Sequence, residues 1–177
     1  MPMMRFTINV ALLIAMAAQA SCTRDAPPAD AQLPAAVQAA VDSVSSVCTA
    51  AGGKPLTTQA ILRGDINADG LQDHVLDAGA IKCEGAAGVY GDREKEVSVF
   101  ITADRSASLA FSDSTYGARI EGTGAATKLW LTLAGASCGK PPAQDFASET
   151  FCERALTWNA AAKTLAYAPL ETIRPIK

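Results

Sequence analysis

Residues 64–77 read GDINADGLQDHVLD. Counted from Asp65, the first, third, fifth and ninth positions are Asp65, Asn67, Asp69 and Asp73, with Gly70 sixth and Leu71 seventh. Oxygen-bearing side chains at odd positions converge when the chain wraps around a hard divalent cation, and calcium takes roughly six to eight such oxygens. Gly70 permits the sharp turn that a Cβ would strain, and Leu71 offers its backbone carbonyl. Three carboxylates this close in sequence repel one another, and a divalent ion relieves that repulsion. The spacing therefore predicts one calcium ion held by Asp65, Asn67, Asp69, Leu71 and Asp73.

The run departs from an EF-hand where that loop needs its closing bidentate Glu, because the twelfth position is Leu76. The flanks read as strands, so the two helices of an EF-hand are not expected. Asp77 comes one place late; on a strand it faces away from Leu76 and joins the ligands only if the chain bends. Asp-x-Asn-x-Asp-Gly-x-x-Asp entering a strand resembles the calcium loops of FG-GAP and VCBS-type repeat proteins. The resemblance implies ligand roles for Asp65, Asn67, Asp69 and Asp73. Those families repeat the loop within propellers, whereas this chain carries it once, so neither a propeller nor adhesion follows. The wider layout, with an export signal, a Cys-bearing helix, one such loop, Cys83, Cys138-Gly139 and Cys152 before Leu156-Thr157-Trp158, resembles small secreted proteobacterial proteins of unknown function. That likeness implies no activity. Without the closing Glu, the expected calcium affinity is of order 10⁻⁴ to 10⁻³ M and its role structural, fixing the strand at Val75-Leu76. The alternative is an ion-free, Asx-rich turn.

Elements that hold the loop are legible on both sides of it. Ala60-Ile61-Leu62 leads in, and Val75-Leu76 leads out. Val97, Val99 and Ile101 alternate with Ser98, Phe100 and Thr102, and Leu129, Leu131 and Leu133 with Trp130, Thr132 and Ala134, the period of strands. Ser108 to Phe111 and Tyr116 to Ile120 read as two strands separated by Ser112-Asp113-Ser114. Ala155 to Trp158 and Thr164 to Tyr167 flank a hairpin connection, NAAAK. Upstream, Val37, Val41, Val44 and Cys48 recur at steps of four, three and four, an amphipathic helix stopped by Gly52-Gly53 and Pro55. Closely spaced strands without intervening helices argue for antiparallel pairing. The predicted fold is α+β, with one N-terminal amphipathic helix packed on a mainly antiparallel β-sheet; a small β-sandwich or barrel is the alternative.

Arg5 and the apolar run Ile8 to Ala18 form a signal-peptide pattern, and the run is shorter than the roughly twenty residues of a membrane span. The expected organisation is a signal peptide over 1–20, a Pro- and Ala-rich tether over 21–33 and a single disulfide-braced globular domain over 34–177. Ala18-Gln19-Ala20 fits small-x-small cleavage before Ser21. Cys22, between signal and tether, resembles the lipid-modified first residue of bacterial lipoproteins, although Gln19 stands where an apolar residue is usual. The expected location is outside the cytoplasm, either periplasmic or anchored at the outer membrane through Cys22. With Cys22 assigned to lipid, Cys48, Cys83, Cys138 and Cys152 remain, an even number suited to two disulfides. Four cysteines allow three connectivities. Cys138 and Cys152 bracket the longest loop, whose closure is worth about 3 kcal/mol, and Cys48 with Cys83 follows by elimination.

The chain carries 15 basic and 18 acidic residues without a Lys/Arg run, so nucleic acid is not an expected partner. His74 is the only histidine, and any Ser-His-Asp or Cys-His arrangement has to pass through it. Asp92-Arg93-Glu94-Lys95-Glu96 reads as a solvated loop entering a strand, and nothing in the sequence supports acid catalysis by Glu94 and Glu96. Trp130 and Trp158 are expected to pack on the sheet, Trp130 being the better candidate for exposure because it shares a face with Thr132. No residue is assigned a catalytic role. The expected function is binding or interaction with an unknown protein or envelope component, with membrane contact only through a lipid anchor. A small calcium-dependent hydrolase using His74 as base, or an inhibitor of an envelope enzyme, is the alternative.

Overall fold

The computed structural model describes residues 32–91, 93–104, 106–141 and 143–176. The signal peptide, Cys22 and the tether up to residue 31 lie outside the described residues. Leu33, placed in the tether by sequence, packs against the helix cluster, and the folded unit begins there.

Helix α1 (Ala35–Ala50) is followed by β1 (Lys54–Leu56), β2 (Ile61–Gly64), β3 (Asp73–Asp77), β4 (Lys82–Glu84), β5 (Lys95–Ala103) and β6 (Ser106–Thr115). The chain continues through β7 (Ala118–Glu121), β8 (Lys128–Ala134), β9 (Phe151–Asn159), β10 (Thr164–Tyr167) and β11 (Arg174–Pro175). α1 buries Val37, Val41 and Cys48 on one stripe, as their spacing requires. Its end is capped by Gly52 at φ +79, with the N–H groups of Gly52 and Gly53 donating to the Thr49 and Cys48 carbonyls. Gly53 is needed for space, since a Cβ there would lie 2.4 Å from Cys83 Sγ. The Cys48–Cys83 disulfide runs through this gap and staples α1 to the antiparallel β1–β4 ribbon.

Two larger antiparallel sheets form the body, one in the order β2-β3-β5-β6 and the other β10-β9-β8-β7, with β11 also on β9. β3 is central in the first, and each of its five residues is buried. Strand alternation sends Val75 to one face and Leu76 to the other. Val75, Val97 and Val99 meet Leu129, Leu131 and Leu156 of the second sheet, while Leu76 and Phe100 meet Val37 and Val41 of the helix. The layers are therefore helix, sheet and sheet. This is the expected α+β class, with two stacked sheets where a single meander was expected. Cys138–Cys152 is the second disulfide and closes the β8–β9 loop, so the pairing read from loop length holds.

Two expectations need correction. β6 runs unbroken through Ser112-Asp113-Ser114, because it is an edge strand whose polar residues meet water and whose Asp113 accepts a hydrogen bond from Tyr167 at 2.8 Å. Trp130 is only 5% exposed, because guanidinium groups cover it: Arg174 Cζ lies 3.7 Å and Arg119 Cζ 5.9 Å from its ring centroid. Trp158 is the more exposed of the two tryptophans.

Those arginines belong to a charged network on the outer face of the second sheet. Arg119 donates to Glu153 through Nε and Nη2 and to Glu121 through Nη1, and Arg174 donates to Glu121 at 2.8 Å. Hydrogen bonds from Arg119 hold both carboxyls below the usual glutamate range. A folded-state value below the unfolded one means that the stabilisation is fully present above the ordinary carboxylate range and is lost as pH falls through the depressed values. Arg119→Met is thus expected to narrow the difference in Tm between neutral pH and about pH 3. An unaltered pH dependence in that variant would show that the network contributes nothing.

Candidate calcium loop and the buried carboxylates behind it

The β2–β3 connection orders its own oxygens. Asp65 Oδ1 accepts from the Asp69 N–H at 3.0 Å, and Oδ2 accepts from the Gly70 N–H at 3.0 Å. Asn67 Oδ1 accepts a further, longer bond from the Asp69 N–H at 3.2 Å, and its Nδ2 donates to Asp69 Oδ2 at 2.8 Å. Asp69 Oδ1 in turn accepts from the Leu71 N–H at 2.8 Å. These Asx-type bonds fold the loop back on itself. They require left-handed backbone at Ala68 (φ 61) and Gly70 (φ +85). A Cβ at Gly70 would meet nothing within 4 Å, so the backbone angle and not lack of space calls for glycine there.

The donor set suits calcium. Asp65, Asn67, Asp69 and the Leu71 carbonyl are all hard oxygens, and an ionised carboxylate has about four acceptor sites, of which the loop bonds use only some. Among the described residues, no three His, Cys, Asp or Glu side chains are grouped to hold a metal. Asp73, counted with the ligands by spacing, is fully buried. Its Oδ2 accepts from the Ile66 N–H and its Oδ1 from the Thr102 N–H, both at 2.8 Å. Asp73 thereby latches the loop to β5. Burial pushes its carboxyl above the usual range, against the opposing pull of backbone N–H groups from Thr102 and Ile66.

Asp77 sits at the far end of β3 and does not join the loop. Its Oδ1 accepts from the Gly79 N–H and its Oδ2 from the Ala118 N–H, both at 2.9 Å. Ala118 begins β7, so this carboxylate ties the two sheets together. Sequence reasoning missed that role; the signal available was an acidic residue ending an apolar strand and capping the Ala78-Gly79-Ala80 turn. His74 is also buried, cross-strand from Arg63 and Phe100, and its Nδ1 has no partner among the described residues. Burial, and then the charge of Arg63, lowers its pKa. Alternation puts His74 on the face opposite Asp73 and Asp77, so these three do not assemble into a base-and-carboxylate pair. Glu96 accepts from Ser98 Oγ at 2.6 Å, and Glu94 is exposed. Comparison of the chain with known protein families, characterised proteins and solved structures finds no match.

Proposed function

We propose that the chain is an exported binding domain of the cell envelope, braced by two disulfides, whose β2–β3 loop takes one calcium ion as a structural clip. The observation carrying the ion is the ordered oxygen set of Asp65, Asn67 and Asp69 above the latched Asp73. Asp65, Asn67, Asp69 and the Leu71 carbonyl would hold calcium, with Asp73 supporting the loop from beneath. The ion supplies charge neutralisation to the loop. Export is supported by the signal-peptide pattern at the N-terminus and by the two disulfides, which persist in oxidising compartments. Among the described residues no helix is long and apolar enough to cross a membrane, and lipid on Cys22 would supply the anchor.

The test is thermal unfolding of the mature protein in about 10 mM calcium, 10 to 100 times the expected dissociation constant, and in chelator. Saturation at roughly 10 to 100 times the dissociation constant adds about 1.4–2.7 kcal/mol, a rise in Tm of several degrees for a domain this size. Asp65→Ala is expected to abolish the increment. A Tm indifferent to calcium sinks the proposal.

A further inference from the structure

The core between the sheets ends in a cavity of about 280 Å³. Ile101 and Ala110 of the first sheet and Trp158 of the second line it, and Asn67, Asp69 and Lys163 stand with them at its lining. The mouth of a β-architecture is a common place for a ligand site. Trp158 lies one strand repeat beyond buried Leu156 on β9, yet its ring is only half-buried, so part of a large aromatic surface is open to whatever enters. The β2–β3, β5–β6 and β9–β10 loops surround this end, and each contains one non-glycine residue in left-handed backbone: Ala68, Asp104 and Lys163, at φ 61, 48 and 52. No other described non-glycine residue has positive φ. Such backbone is retained where surrounding structure over-determines a loop, and it gathers at ligand clamps.

The chemistry of the lining narrows the ligand. Beyond the bonds they make within the loop, Asp69 keeps acceptor sites and Asn67 one amide hydrogen, and Lys163 donates, so both senses are offered with one charge of each sign. An indole face beside them presents a flat apolar surface. The matching ligand has an apolar face, polar edges that both donate and accept, and no net charge. We infer that this cavity binds a neutral saccharide ring against Trp158. Its volume is slightly below the roughly 300–1,000 Å³ of drug-sized sites, which suits a single ring. The inference rests on reading the chain as a binding domain and does not require calcium.

The mature protein, kept in chelator, is titrated with glucose, galactose and N-acetylglucosamine while indole fluorescence and backbone amide chemical shifts are followed. The expected result is saturable binding of at least one sugar in the millimolar range, with shifts confined to the three loops and Trp158. Trp158→Ala should weaken it about tenfold or more, a difference read directly as a ratio of dissociation constants. Ser108→Phe, which projects a ring into the cavity from an exposed position on β6, should do the same without removing a core aromatic. Trp130→Phe should leave the affinity unchanged. Absence of saturation in the folded protein, full binding by Ser108→Phe, shifts located elsewhere, or saturation by free amino acids in place of sugars each overturns the inference. Calcium-dependent melting without sugar binding removes this site and keeps the clip, whereas sugar binding with calcium-indifferent melting does the reverse.

Discussion

Asp77→Ala is expected to cost about 1–3 kcal/mol, because it leaves the half-buried Ala118 N–H between the sheets without its acceptor, whereas the Gly79 N–H, on an exposed residue, can turn to water. The two donors, Gly79 in the turn after β3 and Ala118 at the start of β7, belong to different parts of the fold. The carboxylate itself is buried, so its bond to Ala118 is the one that water replaces least well. For a domain of this size the loss corresponds to a fall in Tm of roughly 3–10 °C. Asp77→Asn keeps one acceptor oxygen and should recover part of the loss. Urea unfolding measures both, with the midpoint falling and the slope unchanged. A cost below about 1 kcal/mol for the alanine variant would mean that Asp77 does not bridge the sheets.

Replacing Cys48 and Cys83 together by Ala is expected to cost about 4 kcal/mol, more than the corresponding change at Cys138 and Cys152, about 3 kcal/mol. The bonds close segments of 35 and 14 residues, and the entropy withheld from the unfolded chain grows with the logarithm of loop length. The location adds to the difference. α1 packs through small residues, Val37, Val41 and Cys48, and has no side-chain cap at Pro34. Without the staple, its amide protons should exchange faster than those of β3 and β5, which lie inside a sheet. Gly53→Ala is expected to act in the same direction, because the new Cβ would lie 2.4 Å from Cys83 Sγ. Equal stability of the double variant and the parent, by denaturant unfolding under oxidising conditions, would remove the staple from the account.

The helix, most of the strands and both disulfide pairings could be read from the chain itself, because they depend on spacing. A 3.6-residue period needs only the neighbours on one turn, and a short loop between cysteines limits its own closure. The loop was legible for the same reason: Asp65, Asn67, Asp69 and Gly70 make their bonds within six residues. Two stacked sheets, the alternative reading, could not be preferred over one meander, since alternation states that a strand has a buried face and not what covers it.

The same limit separates residues of one type. Asp65 and Asp73 belong to one motif, yet Asp65 accepts from the loop's own backbone while Asp73 accepts from Thr102, far along the chain. Asp77 is bound by Ala118 of the opposite sheet, and Trp130 lies beneath Arg174, near the end of the sequence. Sequence alone determined the oxygens of the β2–β3 loop, the amphipathic helix and the cysteine framework, each set by local periodicity or loop length. Tertiary structure decided which carboxylate became a latch, which became a bridge and which tryptophan stayed open at the mouth of the sandwich. Those outcomes depend on donors and cations from distant strands, and local spacing contains no record of which strand will be brought alongside.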